Sequence, residues 1–181
     1  RLMQSGEQPL AAWISPGLPG YNPKIGLQHD PQKAKALLAE AGYPGGKGFP
    51  TVRLAYRTQY DVQKESEIAQ FLWKKNLGVD VRLENMEWKV FLNRLEHDPP
   101  AMFRLGWFVD YPDPDSYMNV FLSDSGNNHT GWHSAEYDTL VQQAVVTRNL
   151  NVRKSLYDKA QRVLLERDAV IIPLYASGKL W

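Results

Sequence analysis

Three carboxylates, Asp110, Asp113 and Asp115, fall within six positions directly after the aromatic pair Trp107 and Phe108. Carboxylates in such company can do two kinds of chemistry. Two of them can form an acid/base pair. One alone can hold a cationic ligand through a charge-assisted hydrogen bond, worth roughly 1.5–3 kcal/mol when shielded from water. Pro114 follows Asp113, so Asp113 reads as a helix N-cap. Asp115 lies in that helix's first turn, where a negative charge complements the dipole. Those two have structural work, which leaves no acid/base pair. Asp110 stays open between capping amides of its own turn and facing a ligand.

Other reactive patterns are weaker. No Gly-x-Ser-x-Gly elbow occurs. The run Gly45-Gly46-Lys47-Gly48 precedes a strand and lacks the Gly-Lys-Ser/Thr ending of a phosphate loop. His129 and His133 are four apart, a spacing that serves a metal only on a helix, and they flank Gly131 in a loop-like stretch. They read as surface histidines. The chain has no cysteine, which excludes disulfides, thiolate metal sites and cysteine nucleophiles. No cofactor and no catalysis are expected.

The elements that position these residues follow from periodicity. Residues 1–28 carry Pro9, Pro16, Gly17, Pro19, Gly20 and Pro23 and read as an extended connector arriving from elsewhere, which the family resemblance below implies to be a missing first lobe. Asp30-Pro31 opens a helix with Ala34, Leu37, Leu38 and Ala41 on one face, closed by Gly42 and Pro44. Val52, Leu54 and Tyr56 alternate as a strand. A helix from Asp61 is predicted to turn Ile68, Phe71 and Leu72 inward, and a second strand holds Val79, Val81 and Leu83. Trp88, Phe91, Leu92 and Leu95 then fall at i, i+3, i+4 and i+7, the mark of an amphipathic helix. Met102 to Val109 is nearly continuous apolar sequence and predicts a third, more buried strand. Helices are predicted from Asp113-Pro114, Ser134 and Asn151, and a buried strand over 169–175 interrupted by Pro173.

Strand-helix-strand-helix-strand implies an α/β fold, a mostly parallel sheet flanked by helices, as one ligand-binding lobe over 29–181. Open parallel sheets bind ligands outside the carboxyl ends of their strands. That rule selects Trp88, after the second strand, and Trp107 and Asp110, at the end of the third. On pattern alone both tryptophans also suit a core.

Composition agrees with a binding module. Hydrophobic residues make up 43% and charged ones 23%, ordinary globular values, while six Trp and nine Tyr exceed what a core of this size requires. A formal charge of +1 without like-charged blocks argues against nucleic acid or a polybasic membrane surface. No apolar run reaches the roughly 20 residues of a bilayer span. The first residues, Arg1-Leu2-Met3-Gln4, are not a signal peptide, so an exported parent would carry its signal elsewhere.

Five stretches in one order carry a family resemblance: 30–44 (DPQKAKALLAEAGYP), 85–92 (NMEWKVFL), 106–114 (GWFVDYPDP), 136–138 (EYD) and 171–175 (IIPLY). From about residue 10 onward the sequence resembles the family 5 extracellular solute-binding proteins, the peptide, dipeptide and nickel receptors of ABC importers, and most closely its oligopeptide-binding members. The resemblance implies a periplasmic-binding-protein type II lobe, specifically the second large lobe of a two-lobed receptor, in an excised or shortened protein. It implies an extracytoplasmic location, an oligopeptide ligand, ABC permease subunits as partners, and a first lobe to complete the cleft. By the same resemblance Asp110 pairs with the peptide α-ammonium, Trp88 lines a side-chain pocket, and the backbone at Trp107 and Phe108 pairs with extended peptide. Phe108 stands where a smaller residue is usual, which alters the first pocket. A sensor or interaction lobe of a regulator is the alternative, as is a nickel or dipeptide receptor of the same family.

Overall fold

The computed structural model describes residues 7–176. The chain divides into two compact units, one of residues 29–106 and one built from residues up to Gln28 together with those from Trp107 onward.

The unit of 29–106 is organised around a parallel sheet of three strands, β2 (Val52–Arg57), β3 (Val81–Met86) and β4 (Met102–Arg104), in the order β3-β2-β4. Around it lie helices α1 (Pro31–Glu40), α2 (Tyr60–Leu77) and α3 (Trp88–His97). Asp30 caps α1 as expected, its carboxylate accepting the amides of Gln32 and Lys33. Successive side chains of a strand point to opposite faces, and both faces of β2 are covered. On one, Leu54 packs with Val79 and Val81 against Leu38 of α1 and Trp73 and Leu77 of α2. On the other, Ala55 packs against Phe91 and Leu95 of α3. The central strand is therefore buried on both sides, as parallel sheets require.

Two expectations for this unit are corrected. Phe71 and Leu72 of α2 are exposed, because the inward face is Val62, Ser66, Trp73 and Leu77. Ser66 hides that stripe from a hydrophobicity pattern, since its hydroxyl donates to the Val62 carbonyl at 2.8 Å and so can be buried. The third strand ends at Arg104 and does not reach Val109. Its apolar run serves two cores: Leu105 packs beside α3, whereas Trp107 and Val109 belong to the core of the other unit.

The glycine-rich turn is structural. Gly45 and Gly46 pack on Gly78, the left-handed cap of α2, so closely that a Cβ at Gly78 would stand 2.2 Å from the Gly45 carbonyl oxygen.

The second unit is mainly helical, with α4 (Asp115–Met118), α5 (Ala135–Val146) and α6 (Leu150–Arg162). One continuous cluster of Tyr117, Met118, Phe121, Tyr137, Val141, Tyr157 and Leu164 forms its core. Residues 10–28 hold no helix or strand, yet Ala12, Ile14 and Ile25 are fully buried in that cluster. Gln161 explains how irregular backbone can be buried: its Oε1 accepts the amides of Trp13 and Ile14 at 3.0 and 3.1 Å.

The expected buried strand over 169–175 is also corrected. After α6 a π-type turn over Val163–Arg167 is capped by Asp168 and followed by Ala169, which has a positive φ of 47°, and Ile172 and Leu174 are exposed. Pro173 has no amide to donate. The Leu174 carbonyl accepts the Leu10 amide at 3.2 Å, and β5 (Tyr175–Ala176) pairs antiparallel to β1 (Gln8–Pro9).

Candidate ligand-binding site

Residues 107–110 form a short extended segment held from behind. Trp107 and Val109 turn into the helical core, while Phe108, 69% exposed, and Asp110 alternate outward. Buried Ser116 fixes both ends. Its carbonyl accepts the Trp107 indole N–H at 2.7 Å, and its hydroxyl accepts the Asp110 amide at 3.0 Å. Among the described residues, the backbone amides and carbonyls of Trp107, Phe108 and Val109 pair with no other backbone. A strand-like edge with free donors and acceptors can accept a second extended chain.

The three carboxylates have separate fates. Asp113 accepts two hydrogen bonds from Arg153, at 2.8 and 2.7 Å, and also the Asp115 amide at 2.8 Å. The Arg153 bonds hold its carboxyl below the usual range, against partial desolvation. Arg153 in turn donates to the Ala144 carbonyl, tying the turn to the end of α5. Its own pKa is raised, chiefly by the Asp113 bond. Asp115 accepts the Tyr111 hydroxyl at 2.7 Å. That bond, then burial and the surrounding carboxylates, push the Tyr111 phenol up to about 12. The exposed carboxylate of Asp110 accepts no hydrogen bond and pairs with no cation among the described residues. Asp110 therefore does not cap the amides of its turn. Only its own N–H is engaged, by Ser116.

Trp88 belongs to the sheet unit. It is the first residue of α3, behind an N-cap at Glu87 whose carboxylate accepts the amides of Lys89 and Val90. At 41% exposure it is not a core residue, although its ring lies 6.1 Å from that of buried Phe91. Phe91 and Leu95 fill the core side of the stripe, and Trp88 extends it past the end of the sheet. The guanidinium of Arg57 lies 5.3 Å from its ring centroid. Thus Trp107, Phe108 and Asp110 share one segment of one unit, and Trp88 stands at the carboxyl edge of the other unit's sheet.

Sequence reasoning missed Ser116 and Arg153, which act on residues 6 to 40 positions away. His129 and His133 lie outside any helix, in a loop that Asn128 closes by donating to the Trp132 carbonyl and accepting from Thr130. Among the described residues no group of three or more His, Asp or Glu side chains could hold a metal ion, and no helix is long and apolar enough to cross a membrane.

Comparison with known proteins gives a consistent result. The family described as bacterial extracellular solute-binding proteins, family 5 Middle, matches residues 1–129. The periplasmic oligopeptide-binding protein OppA of Salmonella typhimurium is 41% identical over 145 residues, 80% of this chain and 26% of its own length. The solved structure of the Escherichia coli murein tripeptide binding protein MppA matches with a TM-score of 0.89 at 29% identity, over 98% of this chain and 36% of that one. Haemophilus influenzae OppA in complex with RPPGFSPFR matches with a TM-score of 0.86 at 26% identity, over 97% and 36%. The chain thus spans well under half the length of each. These relatives are solute-binding proteins rather than enzymes.

Proposed function

This chain belongs to the bacterial extracellular solute-binding proteins of family 5, and from that premise we propose that it is the peptide-binding lobe of an ABC importer's receptor. Its fold is an α/β lobe of the periplasmic-binding-protein type II kind. In this reading both compact units belong to one lobe, entered through residues 1–28. The partners are an oligopeptide, ABC permease subunits and a first lobe of the same receptor, and the protein works outside the cytoplasm.

One observation carries the reading: an unpaired, extended backbone at Trp107–Val109 ends at the exposed, uncommitted carboxylate of Asp110. Main-chain pairing along that edge gives affinity that does not depend on peptide sequence. Asp110 then anchors the α-ammonium, with one charge-assisted hydrogen bond fixing the register. Phe108, exposed beside that edge, supplies an apolar wall for side chains. The Asp113–Arg153 pair and Ser116 keep the segment in place without touching the ligand.

Titration of the full-length protein with a free-amine tripeptide and with its N-acetylated form tests the anchor. Acetylation and Asp110→Asn should each weaken binding by roughly 10–100-fold, the equivalent of about 1.5–3 kcal/mol. They should not add when combined. Equal affinity for both peptides, unchanged in Asp110→Asn, removes the role of Asp110. The isolated 181 residues, offering one side of a cleft, should bind the same peptides only weakly.

A further inference from the structure

The turn that joins α5 to α6 shows solvent an apolar surface. Val146 is 79% exposed and Leu150 74%, and Val145 and Val152 are exposed as well. None of the four packs on the helical core, whereas Leu140 and Leu156 of the same two helices do. The turn is nonetheless firmly built. The Thr147 amide donates to the Ala144 carbonyl at 3.2 Å, and the Thr147 hydroxyl donates to the Gln143 carbonyl at 2.6 Å. The Asn149 side chain accepts the amides of Asn151 and Val152, each at 3.1 Å. From α6, Arg153 donates to the Ala144 carbonyl. The aliphatic side chains are thus held outward by a backbone that needs little further ordering to meet a partner.

Charge narrows what that partner is. Between Asp138 and Asp158 the sequence holds three bases and no acid. Arg153 pairs with Asp113 and Lys154 with Asp158, which leaves Arg148, inside the turn, in no ion pair among the described residues. The complement is an apolar surface that carries negative charge. Four aliphatic side chains fall well short of the roughly 1,000 Å² that a specific protein interface needs. Leucine and valine are also under-represented among the residues that dominate such interfaces. Insertion among lipid headgroups has no such threshold, because it scales with buried apolar area plus attraction to anionic lipid.

We propose that residues 145–152 form a membrane-contact turn, with Val146 and Leu150 entering the headgroup boundary of an anionic bilayer and Arg148 pairing with lipid phosphate. This inference goes beyond the peptide-binding reading and does not rest on it.

The test is co-sedimentation of the unlipidated full-length protein with vesicles of phosphatidylcholine alone or with phosphatidylglycerol added. So small a patch gives weak, reversible binding, half-saturated at about 0.1–10 mM lipid on the phosphatidylglycerol vesicles. Val146→Ser with Leu150→Ser should weaken it by about tenfold or more, and Arg148→Gln by about fivefold. Thermal midpoints should stay at the wild-type value, since all three side chains are exposed. No sedimentation at about 10 mM lipid, equal binding to both vesicle types, or variants that bind as the wild type does would overturn the inference. If the variants keep vesicle binding yet no longer stimulate the ATPase of the ABC permease, the turn contacts protein, and the inference is likewise overturned.

Discussion

The two units hold their candidate site residues by different means. In residues 29–106 a ladder of parallel strands does the positioning, and two thin apolar clusters clamp it from either face. In the helical unit a single large core provides cohesion, and side-chain bonds from Gln161, Arg153, Ser116 and Tyr137 fix the irregular segments. Regular backbone satisfies its own polar groups, and irregular backbone needs polar side chains to do so. The sheet unit should therefore be most sensitive to lost apolar volume, the helical unit to lost polar side chains.

Phe91→Ala gives the largest effect. Phe91 is fully buried between α3 and β2, and its truncation should cost about 3–5 kcal/mol. Hydrogen exchange read by mass spectrometry should show the loss of protection within residues 52–104. Equal loss over residues 117–165 would break the comparison, because the two cores would then behave as one.

Arg153→Met comes next, at about 1.5–3 kcal/mol, since it strands partly buried Asp113 and frees the Ala144 carbonyl. The effect should depend on pH. Arg153 lowers the Asp113 pKa in the folded state, so the pair's stabilisation is complete above the unfolded value near 4 and fades as pH falls through the lowered one. Thermal midpoints of wild type and Arg153→Met should converge below about pH 4. A constant gap down to pH 2 would assign the effect to packing of the arginine stem instead.

The smallest effect belongs to Asp30→Ala. It removes the two cap bonds of α1 and should cost about 1 kcal/mol. A loss as large as that of Phe91→Ala would show that caps as well as volume support the sheet unit.

Legibility in the sequence followed the same division. Within residues 29–106 the order of strands and helices, the start of α1 at Pro31 and the parallel sheet are readable, because local periodicity and caps encode them. The segment of Trp107 to Asp110 was selected by the rule about strand ends and by the family resemblance, although the strand itself stops at Arg104. What escaped was decided by distant partners. Nothing near Asp110 shows that its carboxylate is free, because that depends on Arg153 taking Asp113 and Tyr111 taking Asp115. The extent of β4 escaped because one apolar run feeds two cores. Residues 10–28 lack periodicity, and the burial of Ile14 and Ile25 follows from the cluster that receives them.

The bond from the Trp13 amide to Gln161 also sets a schedule. The two residues are 148 positions apart, so at ribosomal speeds of about 5–20 residues per second the amide waits roughly 7–30 s for its acceptor. Residues 29–106 are contiguous and can finish folding during that interval. Residues 12–25 can therefore complete their burial only once α6 is present.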